Sequence, residues 1–202
     1  MDGEWSLEDL YVLPRTYIQV YSFLYSFVRP VDDFDDIDDH LVITYSAHPW
    51  KGGYSAVNFY NSLQHIVEPR HRPKIKSIQY ASPGWLELTA LVSIALNIKH
   101  IVSHFAKSGN ELNELYNNIY KGMHQRRMMN IEAKRQSLML ERDQADFAID
   151  SANKLSQLLG FENVEQIQRL TQNPLATLKI LLSFYRKIRT LAKFKDDGKA
   201  KF

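Results

Sequence analysis

The pattern of apolar and polar positions divides the chain into a mixed N-terminal part and a helical remainder. Its most apolar stretch runs from Pro83 to Lys107. There Leu88, Leu91, Ala95, Ile98, Val102 and Phe105 recur at steps of three and four, and Leu86, Ala90, Ile94 and Ile101 widen that face. Thr89, Ser93, Asn97, His100 and His104 form a narrow polar stripe opposite. With Ser82 as N-cap and Pro83 in the first turn, this periodicity predicts a central core helix over 83–107. Glu87, Asn97, Lys99 and the two histidines interrupt any uncharged run of bilayer-spanning length.

Upstream, Tyr17, Val20, Phe23 and Phe27 predict an aromatic-rich helix over 14–28, ended by Arg29-Pro30. The aspartates at 32, 33, 35, 36, 38 and 39 predict an exposed acidic loop, because their spacing lacks the glycine and closing glutamate of a calcium loop. The β-branched run Leu41–Tyr45 predicts a buried strand. A helix should follow from Ala56 to Glu68, and the alternation from Lys74 to Tyr80 predicts a half-buried strand. Strand, helix and strand in that order make a βαβ unit with a right-handed crossover.

Downstream, Ser108-Gly109-Asn110 predicts a turn. Leu112, Tyr116, Ile119 and Met123, then Ile131, Leu138 and Ala145, predict one long helix over 111–150. Its polar middle leaves it to project, or to pair with a second protomer. Leu155, Leu158, Leu159 and Gly160 predict a short helix closed by a left-handed glycine. Asn163 and Gln166 are placed for a capping box. Asn173-Pro174 opens a last helix over 174–193, apolar along Leu178, Leu181, Leu182, Tyr185, Ile188 and Ala192, and residues 195–202 should fray. The expected fold class is α+β: a small βαβ-containing module over 1–82, then a long-helix, all-α region over 83–202.

Composition narrows this picture in two ways. The chain has no cysteine, which excludes disulfides and thiol catalysis and fits a reducing compartment. Its acidic N-terminus, Met-Asp-Gly-Glu-Trp, lacks an apolar signal region, so a cytoplasmic setting is expected. Charge is uneven. The first hundred residues hold 8 Lys/Arg and 12 Asp/Glu, the others 17 and 11, and residues 179–201 alone carry 8 basic and 2 acidic side chains. A basic end of this kind suits an acidic partner, nucleic acid or anionic lipid, or is a solvated tail.

Two places carry candidate chemistry. The first is the loop that precedes the 56–68 helix, with Lys51, Gly52, Gly53, Tyr54 and Ser55 as candidate ligand-binding residues. Free backbone N–H groups at a helix start attract phosphate, and paired glycines let the backbone approach it. The second is a basic surface in two parts, Arg70, Arg72, Lys74 and Lys76, then Arg186, Lys187, Arg189 and Lys193, with Trp50, Tyr80 and Trp85 as bases' stacking candidates. His100 and His104 share a helix face at a spacing that can hold zinc, but no acidic residue or second ligand pair accompanies them, so hydrogen bonding to a neighbouring helix is expected. No nucleophile elbow is present, and no catalytic residue, cofactor or metal is expected.

The expected function is therefore a non-catalytic protein-interaction or assembly subunit. It would be homo-oligomeric through its long helices and would work with a protein partner in a multi-component system. The alternatives are a regulatory domain binding nucleotide or phosphate at 48–55, a nucleic-acid-binding accessory protein, and a peripheral membrane protein using the 83–107 helix.

Overall fold

The computed structural model describes residues 5–28, 34–48, 50–51, 53–79, 85–131 and 140–202. The fold is α+β, with a β-hairpin amid the helices of the N-terminal region and long helices after it. The first helix, α1 (Leu7–Tyr25), starts before the predicted Pro14 and holds that proline inside it. A capping box explains the earlier start: the Asp9 N–H donates to Ser6 Oγ at 3.0 Å and the Ser6 N–H to Asp9 Oδ2 at 2.9 Å. From Thr16 to Tyr25 almost every α1 side chain is buried.

The segment Leu41–Tyr45 is not a strand. It lies in α2 (Phe34–Ser46), where Leu41 and Tyr45, four apart, point into the core while Ile43 is 59% exposed. Helical spacing of the two buried residues outweighs the β-propensity of Val42, Ile43 and Thr44, as tertiary packing commonly does. Four of the six aspartates, Asp35, Asp36, Asp38 and Asp39, therefore belong to the first turns of α2 rather than to a loop, and Asp32 and Asp33 fall outside the described residues. After α3 (Gly53–Ile66) and a 3-10 turn, Pro69–His71, come β1 (Lys74–Gln79) and β2 (Trp85–Thr89).

These two strands pair with each other antiparallel, Ile75 opposite Leu88 and Ile78 opposite Leu86, with an irregularity between Ile75 and Ser77. With no strand at 41–45, the predicted parallel crossover has no partner, and a hairpin takes its place. Tyr21 of α1 fixes both ends of that hairpin. Its hydroxyl donates to the His71 carbonyl at 2.6 Å and accepts from the Leu91 N–H at 3.3 Å.

The predicted central helix begins late and ends late. Its first residues lie in β2 or outside the described residues, and α4 runs Val92–Gln125, through the expected turn at 108–110. Only Ser108 leaves helical geometry, at φ −110 and ψ 18, and the helix resumes at once. The predicted helix over 111–150 is broken instead at Arg126. Arg127 takes the left-handed conformation, φ 55, that glycine commonly supplies at a helix end, and the Met128 N–H returns to the Met123 carbonyl at 2.8 Å. Helix α5 (Arg142–Leu159) then starts afresh from a Glu141–Gln144 capping box. Of the polar middle, Arg126 and Arg127 follow the end of α4, Glu141 caps α5, Arg142 and Asp143 lie in its first turn, and Lys134 and Arg135 fall outside the described residues. Of the expected seam, Ile131 packs on the core, Ala145 is half-buried, and Leu138 lies outside the described residues.

Gly160 closes α5 at φ 65, as the sequence predicts, and a side chain there would meet the rings of His100 and His104 at 3.4–3.6 Å. The polar histidine stripe is thus packed on a helix end. Asn163 starts α6 (Val164–Thr171) without a side-chain cap bond, so the predicted capping box is absent. Asn173 caps α7 (Pro174–Asp196) through the Ala176 N–H at 3.0 Å, as predicted.

Helix α7 is the axis of the molecule, the role the sequence assigned to 83–107. Every residue from Leu175 to Tyr185 except half-buried Lys179 is buried, and the helix packs against α1, α4, α5 and α6. The core centres on Phe23 and Phe184, whose ring centroids lie 4.5 Å apart, with Phe27, Phe59, Tyr60 and Phe161 around them. Residues 195–202 do not fray. The Lys199 N–H returns to the Phe194 carbonyl at 2.9 Å, Lys199 Nζ bonds Asp9 at 2.7 Å, and Phe202 stacks on Tyr17. The lysine bond and the Ser6 N–H hold the Asp9 carboxyl down to about 2. No helix among the described residues is long and apolar enough to cross a membrane.

Candidate functional site

The loop from His48 to Ser55 joins two helices, α2 and α3, rather than a strand and a helix. Gly52 lies outside the described residues. Lys51 and Gly53 are exposed, Tyr54 is 86% exposed, and Ser55 is buried, so the Tyr54 and Ser55 side chains face opposite ways. What the loop does build is a buried anchor. Trp50 is left-handed, φ 50, with its indole packed edge-on against Phe59 at 5.1 Å. Its carbonyl accepts from Lys179 Nζ at 2.9 Å, and the same ammonium donates to the Ile131 carbonyl at 2.8 Å. One lysine of α7 thus ties Trp50, between α2 and α3, to Ile131, beyond the end of α4.

Burial pushes the Lys179 ammonium down to about 8, from an ordinary 10.5. A depressed pKa means the folded chain loses this proton before the unfolded chain does. The charged lysine therefore costs stability below pH 8, and that cost is relieved as pH rises from about 8 towards 10.5. Lys179→Met should remove this pH response. Denaturant midpoints of wild type and variant between pH 7.5 and 9.5 should move relatively in the wild type's favour, by at most about 1.4 kcal/mol per pH unit. Parallel pH curves would mean that the amine is not desolvated as described.

The two basic clusters differ in one respect that the sequence does not reveal. At 70–76 the charges are already engaged. Arg70 pairs with Glu68 at 2.6 Å, Lys76 with Glu87 at 2.8 Å, and Arg72 Nε donates to the Val67 carbonyl at 3.1 Å. Ser77 Oγ adds a bond to the same Glu87 carboxylate, and the lysine and serine together hold that carboxyl below its ordinary value. Among the described residues, Lys74 alone of these four has no such partner, and it is exposed at the start of β1.

On α7 the cations meet tyrosines instead of carboxylates. Arg186 Nη1 donates to Tyr120 OH at 2.9 Å and to Tyr116 OH at 3.3 Å. Tyr116 stacks on Tyr185 with centroids 4.4 Å apart and leans on Tyr120 at 4.7 Å. The Tyr185 hydroxyl donates to Asn113 Oδ1 at 2.6 Å, and Arg189 lies beside that hydroxyl. Lys187 Nζ sits 5.5 Å from the Tyr60 ring centre, a cation–π contact. On α1, Arg15 is held by Tyr11, over whose ring its guanidinium lies and whose hydroxyl accepts its bond. Burial, then the charges of Arg15 and Arg186, push the Lys187 ammonium below its ordinary value. Among the described residues, no carboxylate lies within ion-pair distance of Arg15, Arg186, Lys187, Arg189 or Lys193.

Local folding explains the arrangement. The buried stripe of α7 continues through Tyr185, Ile188, Leu191 and Ala192, which turns Arg186, Arg189 and Lys193 outwards on exposed positions and leaves Lys187 half-buried. On α4, Leu112, Ile119 and Met123 face the core, so Tyr116 and Tyr120, four apart, lie half-buried along its border with α7. The structure thus brings Arg186, Lys187 and Arg189 together and adds Arg15, Tyr60, Tyr116 and Tyr120, which sequence reasoning missed. The i, i+4 tyrosine pair was the one visible signal, and it reads equally well as part of an apolar stripe.

His100 and His104 have ring centres 6.1 Å apart. Among the described residues, no group of three or more His, Cys, Asp or Glu side chains is placed to hold a metal ion. Comparison of the chain with protein-family models, with curated proteins and with solved structures gives no match.

Proposed function

We propose that this protein is a non-catalytic binding module whose α7 face takes a phosphate-rich polyanion, a nucleic-acid strand in the first place. One observation carries this reading: Arg15, Arg186, Lys187, Arg189 and Lys193 lack carboxylate partners among the described residues, while tyrosine hydroxyls and rings orient the first three. Cations kept together against mutual repulsion are favoured when an anion is bound. Arginine forks match phosphate oxygens, and tyrosines supply further donors and stacking faces. The test is fluorescence anisotropy with single- and double-stranded DNA and RNA across a salt series. Binding should weaken linearly in log–log form, with a slope of about −3 to −4 for four or five phosphate contacts on a single strand. No binding at micromolar protein and low salt would sink the reading.

A second reading, assembly through apolar contact, is favoured by the outer face of α1. Leu7, Leu10 and Tyr11 recur there at helical spacing with exposures of 87, 44 and 59%. Among the described residues no other element covers this stripe, whereas the long helices pack within the chain. Light scattering at micromolar concentration should then give at least a dimer mass. A monomer mass of 23.6 kDa at every concentration would exclude it.

A further inference from the structure

We infer that the outer face of α1 pairs with the same face of a second copy of this chain, the two helices antiparallel, with Glu8 of each copy set against Arg15 of the other. This rests on the assembly reading above and adds to it the partner, the direction of pairing and the two ion pairs that fix it. The apolar part of the face is short and regular. Leu7, Leu10 and Tyr11 are exposed and Pro14 is half-buried, which is the i, i+3, i+4, i+7 spacing of one helix face.

The charges beside this stripe decide what covers it. Glu8 and Arg15 are seven residues apart, two helical turns less about 20°, so both stand on the same flank of the stripe, about 10 Å apart along the axis. Both are exposed, and neither has an ion-pair partner among the described residues. The neighbouring Asp9 is already matched to Lys199. Arg15 lies on the stripe itself, its guanidinium carbon 5.3 Å from the centre of the Tyr11 ring. Tyr11 thus holds that guanidinium in place before pairing, which lowers the entropy cost of using it. A flank that is acidic at its N-terminal end and basic at its C-terminal end complements itself when reversed. Two helices packed antiparallel bring each flank against the same flank of the other, running backwards. Glu8 then meets Arg15 of the second copy, and Arg15 meets its Glu8, about a two-fold axis beside Leu10 and Tyr11. Parallel packing would set this flank against the opposite one, where Leu13 and Tyr17 carry no charge. An unrelated apolar partner would not require an acid and a base in this order. The stripe covers only two turns, so the pair is a weak, reversible dimer rather than an obligate one.

The experiment is sedimentation equilibrium of the full chain from about 1 to 100 μM, on the wild type, Glu8→Arg, Arg15→Glu and the double variant carrying both. The wild type should show a monomer–dimer equilibrium of the 23.6 kDa chain. By symmetry, each single reversal turns both ion pairs into like-charge pairs, and it should weaken the dimer at least about tenfold. The double variant keeps the net charge and restores opposite charges in both pairs, so it should return to within about threefold of the wild type. Both positions are exposed, and circular dichroism confirms that each variant is folded. A dimer of unchanged strength in either single variant, or no recovery in the double variant, would overturn the inference while leaving the assembly reading intact. A wild type that is monomeric at 100 μM removes that reading too, and leaves the stripe to a partner of different sequence.

Discussion

Phe23→Ala is expected to destabilise the fold by about 3–5 kcal/mol. Phe23 is fully buried, and its ring meets those of Phe27, Phe59, Tyr60, Phe161 and Phe184, which come from four further places in the chain. Removing it loses apolar burial and leaves a cavity bounded by large, stiff rings that cannot collapse into it. A domain's whole stability is about 5–15 kcal/mol, so the variant should be near the limit of folding at ambient temperature. The measurement is the guanidinium midpoint, which should fall with little change in the denaturant slope. Phe23→Leu refills most of the volume and should lose clearly less. A loss under about 1 kcal/mol for the alanine variant would mean that these rings are not the centre of the core.

Much of the helical skeleton was legible because it is written in local chemistry. Asn173-Pro174 marks the start of α7 and Gly160 the end of α5, each through a cap that involves only neighbouring residues. The α+β class and the order of a mixed region before long helices were legible for the same reason. What failed depended on partners distant in sequence. Leu41–Tyr45 has strand propensity, yet becomes helical because Leu41 and Tyr45 find the core at a four-residue step. Residues 85–89 of the 83–107 stretch fit a helical stripe, and become β2 because residues 74–79 pair with them. The break at Arg126 uses a left-handed arginine where no glycine announces it.

The candidate site was half legible. Arg186, Lys187, Arg189 and Lys193 stood out as a basic run, but so did Arg70, Arg72, Lys74 and Lys76. Composition cannot tell a neutralised cation from an unneutralised one. Glu87 cancels Lys76 only because the hairpin aligns them, and Arg15 joins Lys187 only because α1 packs on α7. The 48–55 loop is a different case. Its residues are adjacent in sequence, but helix geometry sends Ser55 inward and Tyr54 outward.

The most direct test of the account reverses charge on one cluster and neutralises it on the other. The double variant Arg186→Glu, Arg189→Glu replaces two cations of the α7 face with anions, and at about 0.1 M salt it should weaken strand binding by at least about a hundredfold. Its salt slope should also be shallower by about 1.4, since two phosphate contacts to a single strand are lost. Arg186→Gln alone keeps a hydrogen-bonding side chain against Tyr116 and Tyr120 and should give a smaller loss, which separates charge from packing. Neutralising the hairpin with Lys74→Ala and Lys76→Ala should change affinity by no more than about twofold, because Lys76 is already matched to Glu87. All variants are to be measured side by side by anisotropy on one single-stranded oligonucleotide, with folding checked by circular dichroism. A steep loss for the α7 variant with the hairpin variant near wild type is the predicted result. Wild-type affinity and slope in the α7 variant, or a loss confined to the hairpin variant, would contradict the account.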